Sequence, residues 1–387
     1  MPGSKHSARA GARILVDDCR PREKDPPGRS PMTTFRRAGL STLLLLVAGC
    51  GGSGGGRGPL SGALLAARLR ASVPATSTAS WGPVASDGED ATFAFEHNVN
   101  GTLGAFDETY EVVASGGAFA LHDPGSGELV YSGSYSASED VFVAANLRAG
   151  ELPEALAMTR KWDGDASAAN LFGSFHAVAF RGSDAMGFSS TNRATFDGVS
   201  TGTLLAGGTT NSDGLIGAAG LAAPLSYAVA SDGTTTVDAP GASFEGGLDV
   251  TGTLAVLAGS TTASEDPLAF FFVKDALSGS ASTFSGTYGM VGMTFDVSDD
   301  DFRSFAGVLT ADGAGAATYQ GTANVEGTVA PTLIANATYS VAVDGTLTLV
   351  TPQGTFRGGI DETGTFAVVG GPVDPGSDPA FFLLVRR

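Results

Sequence analysis

The chain has 387 residues, 56 of them Gly, with 42% apolar and only 16% charged residues. That apolar share supports packed cores and excludes wholesale disorder, while the excess of Gly beside Thr, Val and Phe favours short strands and tight turns. The net charge of −18 is unevenly spread: residues 1–40 hold nine Lys/Arg and four Asp/Glu, so the rest carries −23. Such an acidic surface repels phosphate backbones and excludes nucleic acid as a partner.

In chain order, residues 1–31 are Pro- and Arg-rich and lack apolar periodicity. They are expected to be disordered or untranslated, with Met32 as the start. Arg36-Arg37 then precede a short apolar run from Leu40 to Gly49. A charged n-region, a brief apolar stretch and small residues before a cut make residues 32–49 a secretory signal. The run is too short to remain as a membrane span, which needs about 20 residues. Val47-Ala48-Gly49-Cys50 resembles the lipobox of bacterial lipoproteins. The resemblance implies cleavage before Cys50, diacylation of its thiol and an acylated new N-terminus. The implied partner is the membrane, through the acyl chains, and the implied location is the bacterial cell envelope, at the periplasmic or surface side of the outer membrane. Cys19 would be lost with the leader, leaving no disulfide to staple the exported body.

Residues 50–80 read as the acylated Cys and a flexible linker. Gly51 to Gly58 is a Gly-rich tether and Pro74 to Ser80 a small polar tract. Between them Leu64, Leu65, Arg68 and Leu69 have near-helical spacing, which predicts a short helix within 60–73. The folded body is expected to start near Trp81.

From there the chain repeats itself. Residues 227–275 and 339–387 align without a gap and share 22 of 49 positions. Asp232-Gly233 and Asp344-Gly345 suit type I′ hairpin turns, which require φ > 0 at both central residues. Phe244-x-Gly-Gly and Phe356-x-Gly-Gly mark a bulge or a close backbone approach. Asp266-Pro267 and Asp378-Pro379 break the chain before apolar runs. The front halves match more weakly, through Phe196-Asp-Gly-Val and Phe305-Ala-Gly-Val. A degenerate, shorter copy precedes both. The units are 81–161, 172–275 and 284–387.

Each unit divides into seven or eight short stretches of period-2 character separated by Asp-Gly or Gly/Ser turns. Strands joined in sequence by tight turns form a meander, and about eight strands close into a barrel without free edges. The predicted fold is therefore all-β, with tandem antiparallel up-and-down meander β-barrels, the first of them incomplete. The alternative is a β-propeller with blades of about 50 residues. Phe270-Phe-Phe-Val is read as a barrel strand with one face to the core and the other to a neighbouring domain.

Few residues point to chemistry. His97, His122 and His176 have no zinc-ligand spacing, and His176 alternates with apolar neighbours as a satisfied strand histidine would. No nucleophile elbow, phosphate loop or dinucleotide fingerprint is present. Asp296-Val-Ser-Asp-Asp-Asp301 matches no calcium loop and reads as a solvated turn. Asp249 and Asp361, at one repeat position before Thr-Gly, read as Asx turns. No catalytic, metal-binding or cofactor-binding residue is predicted; the one modified residue is Cys50. The body reads as a non-enzymatic binding or structural module, whose partner would be a small apolar ligand held inside a barrel or another envelope protein. Two other classes stand beside it. A carbohydrate-active or other hydrolase would need two carboxylates converging between units. An adhesin or assembly partner would show a large exposed apolar patch.

Overall fold

The computed structural model describes residues 58–71, 77–99, 102–183, 186–220, 222–259, 267–332 and 335–387. The signal, the Val47–Cys50 motif and residues 1–31 lie outside them. All of the described residues fall in one compact unit.

That unit is three closed, antiparallel, eight-stranded barrels in tandem. The first runs β1 (Gly62–Arg70), β2 (Thr78–Ser86), β3 (Asp90–Val99), β4 (Thr102–Ser115), β5 (Ala118–His122), β6 (Leu129–Tyr135), β7 (Val141–Asn146) and β8 (Glu154–Arg160), with β8 pairing back to β1. The second contains β9 (Phe172–Ser183), β10 (Met186–Asp197), β11 (Thr201–Leu204), β12 (Thr209–Ser212), β13 (Leu215–Ala218), β14 (Ala223–Val229), β15 (Thr234–Ala239), β16 (Ala242–Leu248), β17 (Leu254–Ala258) and β18 (Leu268–Lys274). Its ring closes through β10–β11, β11–β14 and β18–β9, and β12–β13 project as a hairpin from β10. The third contains β19 (Ser285–Asp296), β20 (Asp301–Asp312), β21 (Ala316–Val325), β22 (Thr328–Pro331), β23 (Ala335–Val341), β24 (Thr346–Thr351), β25 (Gly354–Ile360), β26 (Phe366–Gly371) and β27 (Ala380–Arg386). Here β21 is continuous, pairing β23 with its first half and β22 with its second.

Two expectations need correction. The first barrel is complete, because residues 62–70 form β1 and not a helix, so the linker does not extend to residue 80. Leu64 and Ala66 face the barrel interior while Ala67 and Leu69 face the neighbouring barrels. A strand buried on both faces loses its alternation in the sequence and imitates helical spacing. The turns at Asp232-Gly233 and Asp344-Gly345 are also not type I′. Only the glycines have positive φ, +88° and +81°. Gly233 N–H donates to Ala230 O, and Gly345 N–H to Ala342 O. Each is a three-residue loop in which a type I turn is followed by a left-handed Gly. True type I′ pairs occur at Asp213-Gly214 and Glu326-Gly327, at the tips of the projecting hairpins.

The close approach read from Phe-x-Gly-Gly is present. A Cβ on Gly246 or Gly358 would strike the carbonyl of Val256 or Val368 on the next strand, and the register there is unbroken. Each barrel interior is filled by its own aromatic and aliphatic cluster, around Phe93, Phe119 and Phe142 in the first, Phe175, Phe196 and Phe244 in the second, and Tyr288, Leu349 and Phe356 in the third. A fourth core lies between the barrels and draws on all three, including Leu69, Val143, Phe180, Phe271, Phe302 and Phe381. Phe270 and Phe272 point into the second barrel, while Phe271 and Val273 point into this shared core.

The barrels join in a cyclic, head-to-tail way. Ser189 Oγ of the second donates to Gly371 O of the third at 2.9 Å, and Ser304 Oγ of the third donates to Asn146 O of the first at 3.0 Å. Asn211 Nδ2 donates to Pro372 O and Ser377 O, while Asn324 Nδ2 donates to Asn146 O and Glu151 O. The first barrel docks on the second through Trp162, whose Nε1 donates to Leu248 O, and through a Lys161–Asp232 ion pair. The second-to-third and third-to-first junctions share their polar contacts and the first-to-second junction makes its own, so the three barrels close a pseudo-threefold ring, which also excludes the propeller.

Candidate functional site

The ring makes equivalent positions in the three barrels directly comparable, and the departures from equivalence lie mostly in the first barrel. Cross-strand partners on the first and last strands are Arg68 and Leu156, Ala179 and Phe270, and Gly292 and Phe382. Two residues on, they are Arg70 and Glu154, Arg181 and Leu268, and Thr294 and Ala380. On the sixth strand of the meander Tyr131 opposes Leu121, where Phe244 opposes Val237 and Phe356 opposes Leu349. Rings of Phe close this end in the second and third barrels: Phe244 lies 5.0 Å from Phe270, and Phe356 lies 5.4 Å from Phe382. In the first barrel the same end is lined by charges.

Arg68, 4% exposed, and Glu154, fully buried, form the floor. Arg68 Nε lies 3.2 Å from Glu154 Oε1, and its Nη1 donates to Glu108 Oε2 at 2.8 Å and to Tyr131 Oη at 3.2 Å. Glu154 also takes Arg70 Nε at 3.2 Å, Tyr131 Oη at 2.7 Å and Asn146 Nδ2 at 3.3 Å. The Arg68 guanidinium lies over two neighbouring rings, Phe95 and Phe106, 4.6 and 4.9 Å from their centroids, a pair of cation–π contacts that helps replace its lost hydration. Burial alone would raise the Glu154 carboxyl, but Arg68 and Arg70 outweigh it and hold the group below its usual range. Burial pushes the Tyr131 phenol well up, with Glu154 adding to the effect, so it stays a donor. Above the floor Arg70, Thr78, His97, Val99, Phe106 and Glu108 surround a cavity of about 260 Å³. Burial, and then the Arg68 charge, keep the His97 imidazole below its usual range and hence neutral near pH 7.

The residues singled out by sequence take other places. His176 packs between the second and third barrels, its Nε2 3.2 Å from Asp344 O and 3.3 Å from Asp275 Oδ1. Arg193 pairs with both Asp275 and Asp344. These are carboxylates between repeats, as the hydrolase reading required, but one guanidinium holds both. Asp249 and Asp361 are Asx turns: each accepts backbone N–H bonds within its own loop, from Leu254 at 2.6 Å and from Phe366 at 2.6 Å. Asp296 is tied to Arg303 and to Ser298, and Arg303 also reaches Asp299 and Asp301. Among the described residues no group of three or more His, Cys, Asp or Glu is arranged to hold a metal. The large exposed apolar side chains, such as Leu103, Val199 and Leu215, come from separate loops and strands. Cys50 lies outside the described residues.

The charged mouth was missed in the sequence because its members are far apart, Arg68 and Glu154 by 86 positions. The available signal was the repeat itself: Met158 to Lys161 ends the first unit as Phe272 to Asp275 ends the second, which aligns Glu154 with Leu268 as equivalent positions.

No family model matches the chain, and no curated protein sequence matches it significantly. Among solved structures, kievitone hydratase from Nectria haematococca aligns over 85% of this chain and 90% of its own, at 8% identity and a TM-score of 0.23. A protein of unknown function of the DUF3598 family from Nostoc punctiforme aligns over 55% of this chain and 95% of its own, at 10% identity and a TM-score of 0.15.

Proposed function

We propose that this protein is a lipid-anchored component of the bacterial cell envelope, and that its three-barrel body is a non-enzymatic binding module with its ligand site at the mouth of the first barrel. The anchoring half of the reading rests on the signal-like segment 32–49 and on Cys50. The binding half is carried by one observation: three barrels share one plan, and only the first replaces its closing Phe, Leu and Ala residues with Arg68, Tyr131 and Glu154. A buried ion network costs several kcal/mol of desolvation per charge, and a hydrophobic plug of similar volume commonly serves stability as well or better. The fold therefore has no need of the network, since two sister barrels close without it. The packed interiors direct a ligand to this mouth, and its lining selects a polar molecule over the apolar one that a hollow barrel would hold.

The test has two arms. Cells fed a clickable palmitate should label the wild-type protein and not Cys50→Ser; labelling that survives the substitution overturns the anchor. For binding, purified Cys50→Ser protein is screened by thermal shift against small polar metabolites, alongside a form carrying Arg68→Ala, Tyr131→Phe and Glu154→Leu. Ligands that stabilise only the unsubstituted mouth support the reading. Equal stabilisation of both forms overturns it.

A further inference from the structure

The ion pairs of the mouth form an open chain of four charges, Glu108–Arg68–Glu154–Arg70. The inner two, Arg68 and Glu154, each have two charged partners and are 4% and 0% exposed. The outer two, Glu108 and Arg70, each have one inner charged partner and are 29% and 35% exposed. Both ends line the same cavity, as does Phe106. No ion pair joins Glu108 to Arg70 among the described residues, so the chain ends on an anion and a cation that share one hollow without neutralising each other.

We infer that this mouth binds a small zwitterion, with the ammonium group on Glu108 and the carboxylate on Arg70, so that the ligand closes the four-charge chain into a ring. The inference rests on the reading of the mouth as the binding site and names the ligand class it takes. The four side chains sum to zero charge. A lone anion gains from Arg70 but is opposed by Glu108, and a lone cation meets the reverse. A neutral molecule uses neither end. Only a ligand with both charges gains at both ends, and the desolvated floor beneath strengthens each charge-assisted bond over its value in water. The half-buried edge of Phe106 gives the ligand's carbon skeleton an apolar contact. His97, held neutral, adds no third charge to the balance.

The experiment is isothermal titration of the Cys50→Ser protein with glycine, L-leucine, L-phenylalanine and 4-aminobutyrate. Each is compared with its amide and its N-acetyl form, and glucose serves as a neutral polar control. Expected is saturable binding of at least one free zwitterion, with each singly blocked form weakened tenfold or more. Glu108→Gln and Arg70→Gln should each cause a loss of the same order. The blocked ligands make the test independent of whether either variant folds. Binding of glucose with no response to the zwitterions overturns the zwitterion assignment and leaves the mouth as a binding site. Binding that is indifferent to blocking either charge does the same. Absence of binding by every probe overturns the assignment and the binding reading together.

Discussion

His176 of the second barrel fills the space that any side chain on Gly359 of the third would need. A Cβ on Gly359 would collide with the imidazole. The same contact recurs around the ring as Leu65 against Gly247 and as Gly289 against Ser134. Because the interface is close-packed on both sides, Gly359→Ala should destabilise the protein by about 1–3 kcal/mol, the usual cost of overpacking. Adding His176→Ala should recover most of that loss, since the two changes share one space and are not additive. Chemical denaturation of both single variants and the double variant measures it. Simple additivity would mean that the barrels shift apart to relieve the collision.

The same histidine sets a dependence on pH that its neighbour opposes. Burial and the Arg193 charge lower the His176 imidazole to about 4, so the unfolded chain takes up that proton first as pH falls below the ordinary histidine range. Stability from this group is then lost between about pH 6.5 and 4. Burial raises Asp275 to about 6, against the pull of Arg193. Here the folded chain takes up the proton first, and stability is gained as pH falls from about 6 to 4. In the wild type the two nearly cancel. Relative to it, His176→Leu should gain stability on going from pH 7 to 4.5, and Asp275→Asn should lose it. Unfolding free energies of the three proteins at both pH values decide this; slopes of the same sign for both variants would contradict the assignment.

How much of this was legible depended on which face of a strand a residue occupies. The tandem duplication and the alternation of Phe270, Phe271, Phe272 and Val273 between two apolar environments could be read directly, because the back halves of the repeats preserve their spacing. β1 could not. Its residues are buried on both faces, so neither the alternation nor a polar boundary marks it, and Arg68 reads as a helix-face charge when it is the floor of a cavity. The cyclic interface was also hidden. Asn211 and Asn324 occupy equivalent turns, but their partners lie 161 to 178 positions away on another barrel, and no local pattern encodes that distance. Turn type failed for a smaller reason: Asp-Gly supports a left-handed Gly in either of two hairpin geometries.

The shared core predicts that the barrels do not behave as independent domains. Phe381 stacks on Phe271 at 5.0 Å and meets Phe180 at 5.1 Å, joining the second barrel to the third, with Phe302 alongside at 6.4 Å from Phe180. Separating the units would expose this surface to water at roughly 25 cal/mol per Å². Limited proteolysis of the native protein should therefore leave residues 162–170 and 276–283 uncut, and thermal unfolding should show one transition. Phe381→Ala should cost about 3–5 kcal/mol and lower that single transition without splitting it. Stable fragments released by cuts at both junctions would refute the shared core as a cooperative unit.

The mouth of the first barrel makes the most discriminating prediction, because removing one charge and removing the whole network should have opposite outcomes. Glu154→Ala leaves Arg68 buried beside Phe95 and Phe106 without its main counter-charge, and deprives Tyr131 and Asn146 of an acceptor. Breaking a buried pair in this way should destabilise by about 3–5 kcal/mol. Transplanting the second barrel's solution is different: Arg68→Ala, Tyr131→Phe, Glu154→Leu and Leu156→Phe together recreate the arrangement of Ala179, Phe244, Leu268 and Phe270. The aromatic ring introduced by Leu156→Phe would fill the volume that the guanidinium vacates, and Arg70 stays, as Arg181 does in the second barrel. That fourfold variant should match or exceed the wild type in stability, by up to about 4 kcal/mol, while weakening the binding of every ligand the mouth takes. Glu108 and Arg70 remain but lose the Arg68 and Glu154 charges that hold them in place. Denaturation curves and titrations on the same two proteins test both halves. A transplant as unstable as Glu154→Ala would show that the charged network holds the first barrel together, and retention of the network for binding would no longer follow.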